Sequence, residues 1–326
     1  MLLALVAFVL LSACSSSNDP APTPDDAREA TKRELTYLRG RKLMRLDIAT
    51  GSERMLGRVS SPDVHRIPGR PDRFLLVEDR GSGEDFAQDP VLSVVDEAGE
   101  EQTGIGPGFG PIVHSSGNRV AYLRSAGSRV CEGEVCLGSA SLRVADVDGG
   151  SGRVLPPGDW HPLAWAGDDL IVSSAGTTQR VDLSGRSETL DVTPSEVWGV
   201  SPDGREIVLS SKARIALRSL DTGRVRELDA QGLLAEGEWS PSGDELVAVL
   251  VEGGRTRLVR ISLHDATVAP IPDTEEALGP VLWASDGSFV YVRADGLMLE
   301  AVFCDEAVDC RPVLRWGEGV TPLTVS

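Results

Sequence analysis

One turn recurs along this chain and limits what it can fold into. Ser201-Pro202-Asp203-Gly204 and Ser240-Pro241-Ser242-Gly243 each stand between two apolar runs. Variants occur at Ala284-Ser285-Asp286-Gly287, Ser115-Ser116-Gly117-Asn118 and Ala166-Gly167-Asp168-Asp169, with a degenerate copy at Pro68-Gly69-Arg70-Pro71-Asp72. Proline presets φ for the turn, the Asp side chain caps its amides, and glycine takes the positive φ. The strands that follow this grammar begin near Leu35, Phe74, Val120, Leu170, Ile207, Leu246 and Phe289, at intervals averaging about 42 residues. A second turn, Asp47-Ile48-Ala49-Thr50-Gly51, keeps step with the first and returns at Asp146, Asp182 and Asp221, more weakly at Asp96 and Ser262.

Four short strands in a period of this length make one blade of a β-propeller. The expectation is therefore an all-β fold over residues 31–326 with seven four-stranded blades, six or eight being the alternatives. Thirty-five glycines, 20 prolines and only 5% aromatic residues suit short strands and tight turns, and 41% hydrophobic residues suffice for a large core. The first unit, Glu34 to Arg58, lacks a first strand. The C-terminal Val320 to Ser326 aligns with the first-strand segment Trp160 to Ala166. The C-terminal strand is thus expected to supply the innermost strand of blade one, which joins the chain ends and leaves no open sheet edge.

Tryptophan stands just before the first turn at Trp165, Trp239 and Trp283. With the turns, this pattern resembles the TolB-like, WD-repeat-like propeller repeat of bacterial envelope proteins, and the resemblance covers about residues 30–326. It implies the fold; one fold hosts many activities, so it does not choose among them.

The apolar run Leu2 to Leu11 is too short to span a bilayer and has the length of a signal-peptide core. It ends in Leu11-Ser12-Ala13-Cys14, which resembles the lipobox of bacterial lipoproteins. That resemblance implies a signal peptide over 1–13, lipidation of Cys14 and anchoring of an exported protein in the cell membrane or outer membrane. The polar, proline-rich residues 14–30 read as a tether. With Cys14 set aside, Cys131-x4-Cys136 and Cys304-x5-Cys310 remain as two close pairs. In an exported protein they read as two local disulfides; the alternative is zinc, whose sites favour gaps of about two to four residues and converging ligands.

Fifty acidic residues face 32 basic ones, a net charge of −18, which repels phosphate backbones and argues against nucleic-acid binding. No hydrolase elbow, HExxH or Walker loop occurs, so no catalytic residue, metal site or cofactor is assigned. The repeat alignment places His65 and His114 in columns of inter-blade packing residues and His264 in a third-to-fourth strand turn. Two second-to-third strand connections are long, 78–89 in blade two and 125–139 in blade three, and on a propeller they share a face with the loop entering blade four. Glu84, Asp85, Phe86, Glu132, Glu134, Trp160 and His161 form the candidate binding rim, with Phe86 and Trp160 expected to be exposed.

The leading functional reading is a monomeric, lipid-anchored envelope propeller that binds protein partners or a ligand without catalysis. The alternative is an enzyme of lactonase or lyase type with its site at the central channel. A third reading, the propeller of a prolyl-oligopeptidase-type hydrolase, expects a hydrolase domain that these residues do not contain.

Overall fold

The computed structural model describes residues 33–78, 90–125, 128–131, 134–137, 140–149, 152–156, 160–212 and 214–326; at 128–131 and 134–137 it describes the backbone alone. The leader, Cys14 and the tether lie outside the described residues.

The second strands of the repeat begin at Glu34, Arg73, Arg119, Asp169, Glu206, Glu245 and Phe289, within a residue of the positions expected from the turn grammar. Each pairs on one side with an inner strand and on the other with a third strand, which pairs in turn with an outer one. Among the described residues this gives seven four-stranded antiparallel sheets. The inner strands of blades two to seven are Val64–Arg66, Phe109–Val113, His161–Ala166, Val197–Val200, Leu233–Trp239 and Ala277–Trp283. The blades stand in a ring, and the fold is an all-β, seven-bladed propeller.

The ring closes as the sequence predicts. Val320–Val325 pairs with Glu34–Arg39, setting Leu35 opposite Val325 and Thr36 opposite Thr324. Backbone bonds from Glu34 N to Ser326 O and from Ser326 N to Glu34 O, both 3.0 Å, carry the ladder to the last residue.

Strand periodicity explains the core. Successive side chains leave a strand on opposite faces, and both faces of a blade are covered by neighbours, so the second strands are continuously apolar. In Glu245–Glu252, Leu246, Ala248 and Leu250 pack towards blade five, while Val247 and Val249 pack towards blade seven. Seven such apolar clusters occur among the described residues, one at each junction, including the blade seven to blade one seam where Tyr37 and Val325 meet Val290 and Phe303. Each fully buried aliphatic side chain contributes about 2 kcal/mol of transfer free energy.

Two expectations need correction. Residues 125–139 are not a plain loop: Ser128–Cys131 and Glu134–Leu137 pair as a separate two-stranded hairpin. His114 is not in the packing column. Its amide donates to Arg119 O and its carbonyl accepts from Gly117 N, the bonds that Ser201 and Ser240 make in their own turns. Val113, opposite Val120, holds the packing column instead. No helix among the described residues is long and apolar enough to cross a membrane.

Candidate functional site: the central funnel

The inner strands carry the residues that line the axis. Opposite the first apolar residue of each second strand stand Val325, Arg66, Val113, Trp165, Val200, Trp239 and Trp283. Indole donors tie several of these strands together. Trp165 Nε1 donates to Ile112 O at 3.0 Å, Trp198 Nε1 to Ala235 O at 2.6 Å and Trp283 Nε1 to Glu238 O at 2.9 Å, each joining adjacent blades.

The turns above these strands nest. A Cβ on Gly204, at φ +73°, would strike the backbone of Ala166 and Gly167 in the turn of blade four, and one on Gly117, at φ +67°, would strike Pro68 O of blade two. Glycine is required there by close approach as well as by φ. His114 locks the same layer. Its Nδ1 accepts from Ser116 N at 3.0 Å, which leaves Nε2 as the donor to Gly167 O at 2.9 Å, and its ring stands edge-on to Trp165. Arg70 and Arg73 both pair with Asp148 across the blade two to blade three junction.

Within this collar lies a cavity of about 720 Å³ to which every blade contributes. Its walls are largely apolar, with Ile112, Val113, Leu163, Val200 and the indoles of Trp165, Trp239 and Trp283. Two charged groups meet inside it. Arg66 Nη2 donates to Glu238 Oε1, and Glu238 Oε2 accepts from Trp283 N at 3.0 Å. Burial pulls the Arg66 pKa below its ordinary value. Sequence reasoning missed both residues; the signal available was a charge directly beside an apolar residue at the end of an inner strand, Arg66 before Ile67 and Glu238 before Trp239.

Of the expected rim, the structure describes the side chains of Trp160 and His161. Trp160 is only 9% exposed and packs with Leu123, Leu155 and Leu170 at the blade three to blade four junction, so it is not an exposed anchor. An indole at the entry to an inner strand finds more apolar contact between blades than at the surface. His161 is exposed at the start of its strand. Glu84, Asp85, Phe86 and Glu132 lie outside the described residues, and Glu134 is described by its backbone alone. His65 does not fill a packing column either: it is partly exposed and its Nε2 lies 3.0 Å from Asp63. His264 is exposed, as a strand-turn residue should be.

Cys304 and Cys310 are register partners on adjacent strands and form a disulfide. Cys131 and Cys136 lie on the two strands of the hairpin, facing Glu134 and Arg129 in register, with their side chains outside the description. Among the described residues, no three His, Cys, Asp or Glu side chains gather in a way that could hold a metal ion.

This architecture is that of a seven-bladed β-propeller, a fold it shares with TolB among others. TolB from Acinetobacter baumannii is similar over 90% of this chain and 67% of its own, with a TM-score of 0.52 at 13% identity. A putative 6-phosphogluconolactonase from Bacteroides uniformis is similar over 90% of this chain and 99% of its own, with a TM-score of 0.55 at 14% identity. Pyrococcus horikoshii acylaminoacyl peptidase gives a TM-score of 0.56 at 14% identity over 84% of this chain, which spans about half of that enzyme, 48%. At these identities the likeness is one of fold. No family model and no curated protein matches the sequence.

Proposed function

We propose that this chain is an exported, lipid-anchored propeller of the cell envelope that acts as a non-catalytic binding scaffold. The observation that carries the reading is the funnel: seven interlocked blades hold open a largely apolar cavity in which Arg66 and Glu238 neutralise each other. A rigid, concave, largely apolar surface with few fixed polar groups is built for recognition. Leu11-Ser12-Ala13-Cys14 and the polar tether support the anchor, and the resemblance to TolB-like propellers supports the envelope address. The acidic residues Glu84, Asp85, Glu132 and Glu134 of the two long connections, read from the sequence, favour a partner of positive charge.

The test compares wild-type protein with Cys14→Ser by fatty-acid labelling and membrane pelleting, then uses each as bait in envelope extract. The wild type should carry lipid and pellet. The variant should do neither, yet should capture the same partner. Label retained by Cys14→Ser, or a wild type that never pellets, overturns the anchor; failure of both baits to retain a specific partner overturns the scaffold.

The likeness to a putative 6-phosphogluconolactonase over 99% of that chain favours a second reading, a lactonase-type site in the same channel. Hydrolysis of sugar lactones by the purified protein above the spontaneous rate would replace the scaffold reading.

A further inference from the structure

We infer that the central funnel binds an organic monocarboxylate with an apolar body, its carboxylate seated on Arg66. This goes beyond the scaffold reading, because it holds whether or not an envelope partner exists.

Hydrogen-bond supply decides the sign of the ligand. A guanidinium has five N–H donors. Among the described residues, Arg66 places only one of its nitrogens, Nη2, on a partner, Glu238 Oε1. Glu238 is committed on both oxygens, Oε1 to Arg66 and Oε2 to Trp283 N. Donors are therefore left over in the cavity while the acid that faces them is occupied, which favours an incoming acceptor over an incoming cation. A planar carboxylate fits the open edge of a guanidinium with two parallel bonds.

Charge limits the ligand to a monoanion. The charged side chains lining the cavity are Arg66, Arg70 and Glu238. Arg70 is held by Asp148, with Nη2 2.6 Å from Oδ2. One guanidinium can share itself between Glu238 and one more carboxylate, whereas a dianion would set three negative charges against it. Size and walls describe the remainder. About 720 Å³ lies in the range of small-molecule sites, and Ile112, Val113, Leu163 and the indoles beside Arg66 offer contact to hydrocarbon or an aromatic ring. The partial burial of Arg66, which lowers its pKa, adds to the attraction, since a second anion offsets the desolvation of its charge.

The experiment is a tryptophan-fluorescence titration, since Trp165, Trp239 and Trp283 line the cavity. The probes are hexanoate, phenylacetate and acetyl-Ala-Ala-Leu with a free carboxylate, each against its neutral amide. The acids should give a saturable change, with the amides at least about tenfold weaker. Free small acids and the chain-terminal carboxylate are separate arms, and saturation by either supports the site. Arg66→Met should abolish the response. Glu238→Gln keeps an oxygen for Trp283 N and frees Arg66, so it should tighten acid binding several-fold. If Arg66→Met fails to fold, the opposite sign expected for Glu238→Gln still decides. Equal response to acids and amides, no saturable response in either wild type or Glu238→Gln, or an unchanged Arg66→Met overturns the inference. None of these results depends on capture of a protein partner.

Discussion

Arg66 in the second blade and Glu238 in the sixth form an ion pair that crosses the axis of the ring, with two blades between them on one side and three on the other. Most other long-range ion pairs join neighbours, such as Arg119 with Asp168 and Arg33 with Asp286. A cross-axis pair couples blades that share no junction. Glu238 also receives Trp283 N, so its loss removes two interactions where loss of Arg66 removes one. Glu238→Ala should cost about 2–4 kcal/mol and Arg66→Ala about half of that, discounted for partial exposure. Denaturant unfolding of both variants measures the order; equal losses would mean that the Trp283 contact contributes nothing.

Two glycines with similar φ separate strain from collision. Gly204 and Gly40 sit at φ +73° and +63°; a Cβ on Gly204 meets the backbone of the neighbouring turn, whereas one on Gly40 meets nothing within 4 Å. Gly40→Ala should lose about 1 kcal/mol from the left-handed backbone alone, and Gly204→Ala at least about twice that. Thermal melting of the pair checks the nesting of turns; equal shifts would count against it.

The indole bonds predict a narrower effect. Trp165→Phe keeps most of the buried ring but removes the donor to Ile112 O. The expected loss is about 1–3 kcal/mol, because the carbonyl between blades is left without that partner. Retained stability in chemical denaturation would show that water replaces the indole.

Asp286 gives the seam between blades seven and one a pH dependence. Burial raises its pKa, but bonds from the Ser288 hydroxyl and amide and from Arg33 outweigh this, and the net shift is downward from 3.8. A carboxylate depressed in the folded state contributes stability above its unfolded pKa and loses it as pH falls through the lower folded value. The melting-temperature gap between wild type and Asp286→Asn should therefore be full at neutral pH and close below about pH 3.8. A gap that persists in acid would assign the effect to shape rather than charge.

Much of the fold was legible because its signals are local. Ser201 and Asp203 cap their own turn, with Glu206 N donating to Ser201 Oγ at 2.9 Å and Ser201 Oγ to Asp203 Oδ1 at 2.6 Å, so the turn writes itself into four adjacent letters. The same holds for Asp47, which accepts from Ala49 N and Thr50 N. The funnel was less legible. Arg66 and Glu238 are 172 residues apart, and only ring closure brings them together. His114 was misplaced by one residue because it stands where the other turns carry a serine, its ring Nδ1 accepting from Ser116 N whereas Ser201 Oγ accepts from Glu206 N. Trp160 was misjudged because the entry to an inner strand already lies between two blades.

Closure of the ring is the central claim, since the funnel and any site within it exist only if the C-terminal strand completes blade one. Deleting Gly319–Ser326 removes Leu323 and Val325 from two junction clusters and strips the inner edge of Glu34–Arg39. The direct measurement is the thermal unfolding of this truncated protein beside the full chain. The account predicts that the whole cooperative transition falls by at least about 10 °C, because an opened ring weakens every blade. A single transition at an unchanged midpoint would contradict it.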